Sequence, residues 1–372
     1  MMEQNNYPIR VAQVMGKMNN GGVEAVVMNY YRHIDRTKIQ FDFIVDTDSK
    51  CPQRKEIELL GGKVYFVPPY SRILKYDKAL KKIFIENKYK IVHSHITTLN
   101  VFPLRVAKRC NIPIRISHAH STAGKGEFVR NCIKYLLRPF SKMYANYYFA
   151  CGEYAGKWLY GKKTFNRGDV FVLNNAIDVD KFKFNEIYRN EIRNKYNIKQ
   201  STFVIGHIGR FVSQKNHKFL INVFKKYHEK NVDSKLMLIG EGPLENDIKN
   251  QVESLGLSDS VLFVGVVNDS YKYYNAFDCF MLPSTYEGLP VVGVEAQCNG
   301  LPCIFSDRMT KEVLLNRNSE LKKLTLAEWS DLSLKTKERT IVDENKMEKF
   351  DINCVSCFLS QKYLMLVNKK WI

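Results

Sequence analysis

The chain has 372 residues, enough for roughly two domains of ~100–200 residues each and for a core that needs no disulfide or metal to hold it. Hydrophobic residues make up 45% and charged residues 26%, which excludes disordered, collagen-like and low-complexity classes. The net charge of +19 is one-sided: residues 1–175 carry 29 Lys and Arg against 13 Asp and Glu, and residues 176–372 carry 28 against 25.

Such asymmetry points to an anionic partner for the first half: nucleic acid, phospholipid headgroups or a phosphorylated substrate. A Lys-rich proteome is the plainer reading, but it leaves the one-sidedness unexplained. The opening MMEQNNYPIR has no apolar run after a basic start, so no signal peptide is expected. No stretch approaches the ~18 uncharged apolar residues of a spanning helix. Nine cysteines without framework spacing read as reduced thiols in a cytosol.

Along the chain, apolar runs that read as strands occupy 9–15, 41–46, 63–69, 90–95, 114–120, 146–152 and 170–176. Helix-like stretches at 22–33, 54–60, 76–87, 101–110 and 127–144 separate them. The rhythm restarts with strands at 203–210, 235–242, 261–267, 279–284 and 301–307, and with helices at 215–230, 243–255, 270–277 and 289–298. Strands alternating with helices predict βαβ units and mostly parallel sheets. The expected organisation is an N-terminal, basic Rossmann-like domain at 1–175 and a C-terminal one at 176–350. A C-terminal helix at 351–372 would return to the first. Ligands of such sheets bind at the carboxyl ends of the strands, so two domains facing each other would hold theirs in a central cleft.

The segment PSTYEGLPVVGVEAQCNGLP, residues 283–302, runs from a strand end into a helix led by Gly288, Leu289 and Pro290. The unpaired N–H groups of its first turn suit a diphosphate. Glu287 precedes that turn and Glu295 follows about two turns on, so the two carboxylates can address different parts of one ligand. A cap followed by a solvated Glu fits the spacing equally well. Arg210 and Lys215 follow a strand in HIGRFVSQKNH, where a pair of solvated surface charges is the plainer reading of the residues alone.

These segments together resemble the retaining glycosyltransferases of the two-domain GT-B type, family 4. The Glu-x7-Glu in its PSxxEGxPxxxxEA context carries the likeness, with Gly209, Arg210 and Lys215 of a GR-x4-K element. LMLIGEGPLE at 236–245, FVGVVND at 263–269 and NNAIDVDKF at 174–182 match in order, as do MNNGGVEAVV at 18–27 and ISHAHST at 116–122. Asn175 stands at the joint where many members have Gly.

The resemblance implies an α/β GT-B fold and transfer of a sugar from a nucleotide diphosphate, UDP foremost, to a lipid-linked or saccharide acceptor in surface polysaccharide assembly. No cofactor or metal is implied. Arg210, Lys215 and the N–H groups of Gly288, Leu289, Pro290 and Val291 would face the diphosphate (Pro290, having no N–H, through its place in the turn). Glu295 would hold the ribose and Glu287 the donor sugar. Gly21 and Gly22 would let the first loop approach the phosphates. His120 aligns with the histidine that touches the donor sugar, with His118 as the alternative register. His93, His95 and His118 are acceptor-side candidates.

The pairs His93/His95 and His118/His120 each place two rings on one strand face. A zinc site is disfavoured because no carboxylate or Cys stands nearby to complete it. Cys354 and Cys357 form a lone CxxC, no P-loop motif occurs, and Gly240-Glu241-Gly242 does not complete a GxGxxG. Arg130, Lys134, Arg138 and Lys142 recur every four residues among Val129, Ile133, Leu137, Phe140 and Tyr144, with a kink expected at Pro139. This predicts a basic amphipathic helix docking on an anionic membrane from the cytoplasm; a solvated surface helix is the plainer reading. A nucleotide-sugar epimerase of the same fold and a basic nucleic-acid-binding protein are the rival functions, though no nucleic-acid motif is present.

Overall fold

The computed structural model describes residues 8–19, 21–120, 128–331, 338–340 and 343–368, over 128–131 by backbone alone. Contacts divide the chain into two units, Met1–Ala176 with Ile352–Ile372, and Ile177–Asp351. The first is built on a parallel sheet of seven strands: β1 (Ile9–Gly16), β2 (Ile39–Asp46), β3 (Val64–Val67), β4 (Ile91–Ser94), β5 (Ile114–Ala119), β6 (Tyr147–Ala150) and β7 (Val170–Val172). The second has six: β8 (Phe203–Ile208), β9 (Ser234–Ile239), β10 (Val261–Gly265), β11 (Cys279–Leu282), β12 (Cys303–Ser306) and β13 (Ser319–Lys322).

Their orders are β3-β2-β1-β4-β5-β6-β7 and β10-β9-β8-β11-β12-β13. Both are doubly wound, so the chain direction across the sheet reverses between β1 and β4 and between β8 and β11. Sheets covered on both faces need apolar side chains on both, and every residue of β2 and β11 is buried. Each of the two units is therefore a Rossmann-like domain.

One strand escaped the sequence reading. β13, Ser-Glu-Leu-Lys, pairs with β12 from the sheet edge and is only half-buried throughout, so it carries no apolar run. The charged stretch after residue 185 is a helix, Glu186–Lys195, capped by Asn185. Its Arg193 is fully buried, where it donates to Asp278 at 2.6 Å and to the Thr202 and Ala276 carbonyls. At Pro139 the helix Phe128–Leu137 gives way to a 3-10 turn, Arg138–Lys142. The C-terminal helix Ile352–Asn368 packs within the first unit, where Ser356 Oγ donates to the His33 carbonyl and Tyr363 sets its ring edge-on to Phe41.

Candidate active site

In the second unit, two loops leave the carboxyl ends of β8 and β11 side by side, at the switch point where this fold class binds ligands. They are bonded to each other. Thr285 N–H donates to the Gln214 carbonyl at 2.8 Å, Gln214 Nε2 to the Tyr286 carbonyl at 3.0 Å, and Asn216 Nδ2 to the Pro283 carbonyl at 3.2 Å. Asn216 takes a left-handed backbone, φ 58°, which Asn tolerates better than most residues. Lys215, in the middle of these ties, donates to Glu287 Oε1 at 2.6 Å, and Ser284 Oγ holds the same oxygen at 3.1 Å.

Gly240 and Gly242 explain how Arg210 is placed. A Cβ on Gly240 would stand 2.3 Å from the Gly209 carbonyl oxygen, and one on Gly242 would stand 2.6 Å from the Phe211 carbonyl oxygen. The loop after β9 therefore lies directly against the Gly209–Phe211 backbone, fixed by Gly209 N–H to Ile239 O and Phe211 N–H to Glu241 O. That packing holds Arg210 at the strand end with its side chain exposed. Among the described residues no carboxylate pairs with it, unlike Lys215.

The helix that follows, Val291–Cys298, starts one residue after Pro290, which caps it in extended conformation. Its first N–H groups have no intrahelical acceptor, and the site in front of Gly288 is open: a Cβ there would meet nothing within 4 Å. Glu295 accepts from Tyr274 Oη at 2.6 Å. Burial pushes the Glu295 pKa up to about 7, against the opposing pull of that hydrogen bond. His207 lies beneath the site. Its Nδ1–H donates to the Met281 carbonyl at 2.8 Å, joining β8 to β11, and burial pushes its pKa well below the usual histidine value.

In the first unit, neither Gly21 nor Gly22 needs glycine for a turn, since neither has positive φ. A Cβ on Gly21 would meet the Glu24 carboxylate, whereas one on Gly22 would meet nothing within 4 Å among the described residues. Nothing in the described protein explains the second glycine. Four histidines gather at the carboxyl ends of β4 and β5. His93 Nε2 lies 3.0 Å from His118 Nδ1, and His95 Nδ1 lies 2.8 Å from His120 Nε2. His93, His95 and His118 are buried and His120 is partly exposed. The three acceptor-side candidates turn their rings to one another and are buried. Burial drives all four pKa values down, that of His120 to about 3. All four rings are neutral near pH 7.

The expected basic stripe is partly engaged with the protein. Arg138 lies over the Trp158 ring at 5.4 Å, Lys142 Nζ donates to Thr164 Oγ1 at 3.1 Å, and Lys134 is half-buried. The Arg130 side chain lies outside the described residues. Exposed positions of the segment are shared by Lys142 and by the apolar side chains of Ile133, Tyr135, Leu136, Phe140 and Met143. Periodicity gave the right helix, but the four-residue spacing could not say which edge met the protein.

Sequence reasoning missed Gln214, Asn216 and Ser284, which brace Lys215 and Glu287, and Tyr274, which holds Glu295. Gln214 and Asn216 flank Lys215, and Ser284 stands three residues before Glu287, so proximity in sequence was an available signal. Tyr274 had none.

Residues 20–181 match the family described as Glycosyltransferase Family 4, and residues 188–327 match Glycosyl transferases group 1. The chain is 36% identical over 314 residues to the putative glycosyltransferase EpsF of Bacillus subtilis, covering 83% of this chain and 82% of that one. It is 26% identical over 320 residues to the Escherichia coli UDP-Gal:alpha-D-GlcNAc-diphosphoundecaprenol alpha-1,3-galactosyltransferase, covering 82% and 81%. In fold it is similar to Anabaena HepE crystallised with UDP, with a TM-score of 0.77 at 16% identity over 96% of this chain and 100% of that one.

Proposed function

Since the chain belongs to the group 1, family 4 glycosyltransferases, we propose that it transfers a sugar from UDP, with retention of configuration, to a lipid-linked or saccharide acceptor in surface polysaccharide assembly. The observation that carries this reading is the Lys215–Glu287 pair, braced between two loops at a switch point and followed by a helix N-terminus. A UDP donor and a lipid-linked acceptor are supported by the printed activity of the Escherichia coli relative, and UDP also by the ligand of the Anabaena structure.

In the proposed reaction the bond from the sugar's anomeric carbon to the diphosphate oxygen breaks, and its electron pair leaves with the phosphate. The acceptor oxygen bonds to that carbon on the same face, and the departing phosphate takes the acceptor's proton. Arg210 and Lys215 stabilise the charge that grows on the phosphate, more in the transition state than before it. The N–H groups of Gly288, Leu289 and Val291 receive the distal phosphate, with Pro290 setting the turn, while Gly21 and Gly22 keep the first loop bare toward phosphate. Glu295 accepts the ribose hydroxyls. Glu287 and His120 take the donor sugar. The reading requires no metal, so activity unchanged by EDTA is expected and strict metal dependence would argue for another mechanism.

Among the described residues no helix is long and apolar enough to cross a membrane. We place the enzyme at the cytoplasmic surface of an anionic membrane, docked through the exposed apolar residues between Ile133 and Met143 with Lys142 beside them. A panel of UDP-, GDP- and dTDP-sugars, read by released nucleoside diphosphate and by the anomeric coupling constant of the product, tests donor and stereochemistry together. Interconversion of sugars without release would mark an epimerase instead.

A further inference from the structure

Gln13, on β1, is the neighbour of His93 in the β1–β4 ladder. Its two amide atoms face two different chains of hydrogen bonds. Gln13 Oε1 lies 2.7 Å from His95 Nε2, and His95 Nδ1 lies 2.8 Å from His120 Nε2. Gln13 Nε2 lies 3.3 Å from Tyr363 Oη, Tyr363 Oη lies 2.6 Å from His93 Nδ1, and His93 Nε2 lies 3.0 Å from His118 Nδ1. The whole forms one unbranched series, from His118 at its buried end to His120 at its partly exposed end.

A neutral imidazole has one N–H and one lone pair, so the direction of each bond fixes the next. Two directions are self-consistent. In one, Gln13 Oε1 accepts from His95 and every histidine of the series carries its proton on Nε2. In the other, the amide is flipped and every one carries it on Nδ1. The structure sets the amide in the first sense, with Gln13 Oε1 toward His95 Nε2 and Gln13 Nε2 donating to Tyr363 Oη.

We propose that Gln13 is a positioning residue whose amide sets the tautomer of all four histidines and so makes Nδ1 of His120 a hydrogen-bond acceptor. Tyr363, brought in by the C-terminal helix, transmits the setting to His93 and His118. What that acceptor does rests on the proposed function: a hydroxyl of the donor sugar donates to His120, and cannot accept from it. The tautomer itself does not depend on that reading. The low pKa values of the four rings agree with the neutral state that the series requires.

The same cluster invites a metal, because His93, His95 and His118 each bring one ligand atom to within 4.8 Å of the others. Five of their six ring nitrogens are already in the series, however, and among the described residues only His118 Nε2 has no partner. Zinc would have to break the series that Gln13 organises.

The test is a long-range 1H–15N spectrum of the ligand-free, histidine-labelled protein near neutral pH, with each ring assigned by single His→Gln variants. Four neutral rings protonated on Nε2 are expected. Rings of His95 and His120 protonated on Nδ1, or charged, overturn the proposal, as does one equivalent of tightly held zinc after incubation with the metal alone. Gln13→Leu should leave His95 and His120 as mixed tautomers and lower turnover about tenfold, the low end of the loss seen when a metal-bound histidine loses its orienting partner. Gln13→Glu keeps an acceptor oxygen and should restore the Nε2–H form. Tyr363→Phe should disturb His93 and His118 and leave His120 unchanged; the opposite split contradicts the series. If the tautomers stand but His120→Ala transfers sugar at the normal rate, the donor-sugar role of His120 fails and the positioning of its tautomer does not.

Discussion

Lys215 Nζ stands 2.6 Å from Glu287 Oε1, with the two side chains 16% and 13% exposed. The cation proposed to meet the donor's diphosphate is therefore already answered by a carboxylate. Bound diphosphate has to share or displace that partner. Glu287→Gln should then bind free nucleoside diphosphate more tightly, since Lys215 no longer has a carboxylate for the diphosphate to displace. Its turnover should fall, because the sugar loses a contact that strengthens as the bond breaks. Calorimetry of UDP binding beside steady-state rates checks both; weaker binding with normal turnover would assign Glu287 to the wrong part of the donor.

Arg210→Ala and Lys215→Ala should each lower turnover by ~10²–10³, the usual loss when one donor to developing charge is removed. Thermal midpoints should change little for Arg210, which is exposed. Near-normal rates in both variants would remove these residues from the site.

Glu295 should report pH. Its folded pKa of about 7 lies above the ordinary value of 4.5, so the fold disfavours the carboxylate. Stability linked to this group is complete below the ordinary value and declines as pH rises toward the folded one. Ribose hydroxyls need the carboxylate, so donor affinity should move the other way and tighten as pH rises through about 7. The difference between wild type and Glu295→Gln isolates this from titration of the phosphate. Loss of the Tyr274 hydroxyl in Tyr274→Phe should weaken affinity more than turnover. An identical pH profile in wild type and Glu295→Gln contradicts the ribose assignment.

Glycines separate packing from ligand space. Gly240→Ala places a Cβ against the Gly209 carbonyl at φ 134° and should lower both stability and activity. Gly22→Ala and Gly288→Ala meet no atom of the described residues within 4 Å. They should melt normally and raise the KM for donor. A normal KM in both would leave phosphate binding at these loops without support.

Leu136 is 70% exposed and Phe140 42%, though both belong to a segment rich in basic residues. Replacing both with Ser should abolish salt-sensitive sedimentation with anionic liposomes while leaving donor hydrolysis intact. Each basic residue near such a surface contributes about 1 kcal/mol, so Lys142→Gln alone should weaken binding by up to about fivefold. Wild-type protein that ignores anionic liposomes at low salt would leave the segment as ordinary surface.

Much of this was legible in the sequence because parallel sheets demand apolar runs, and among the described residues twelve of the thirteen strands have one. β13 does not, because a half-buried edge strand needs only alternate cover. Glu287, Glu295, Arg210 and Lys215 were legible as spacing. Their pairing was not, since Lys215 and Glu287 are 72 residues apart and meet only where β8 and β11 adjoin. Stacking of His93 on His95 follows from two-residue periodicity on a strand. Nothing local in the sequence connects His93 with Tyr363, 270 residues later. Their contact depends on where the last helix packs, which propensity does not specify.

The most direct test of the central claim is release of nucleoside diphosphate from the sugar-nucleotide panel by wild type and Lys215→Ala, measured side by side. The expected result is release from a UDP-sugar by the wild-type protein, at least ~100-fold slower in the variant. Equal rates in the two proteins, or no turnover of any member of the panel with an acceptor present, would contradict it.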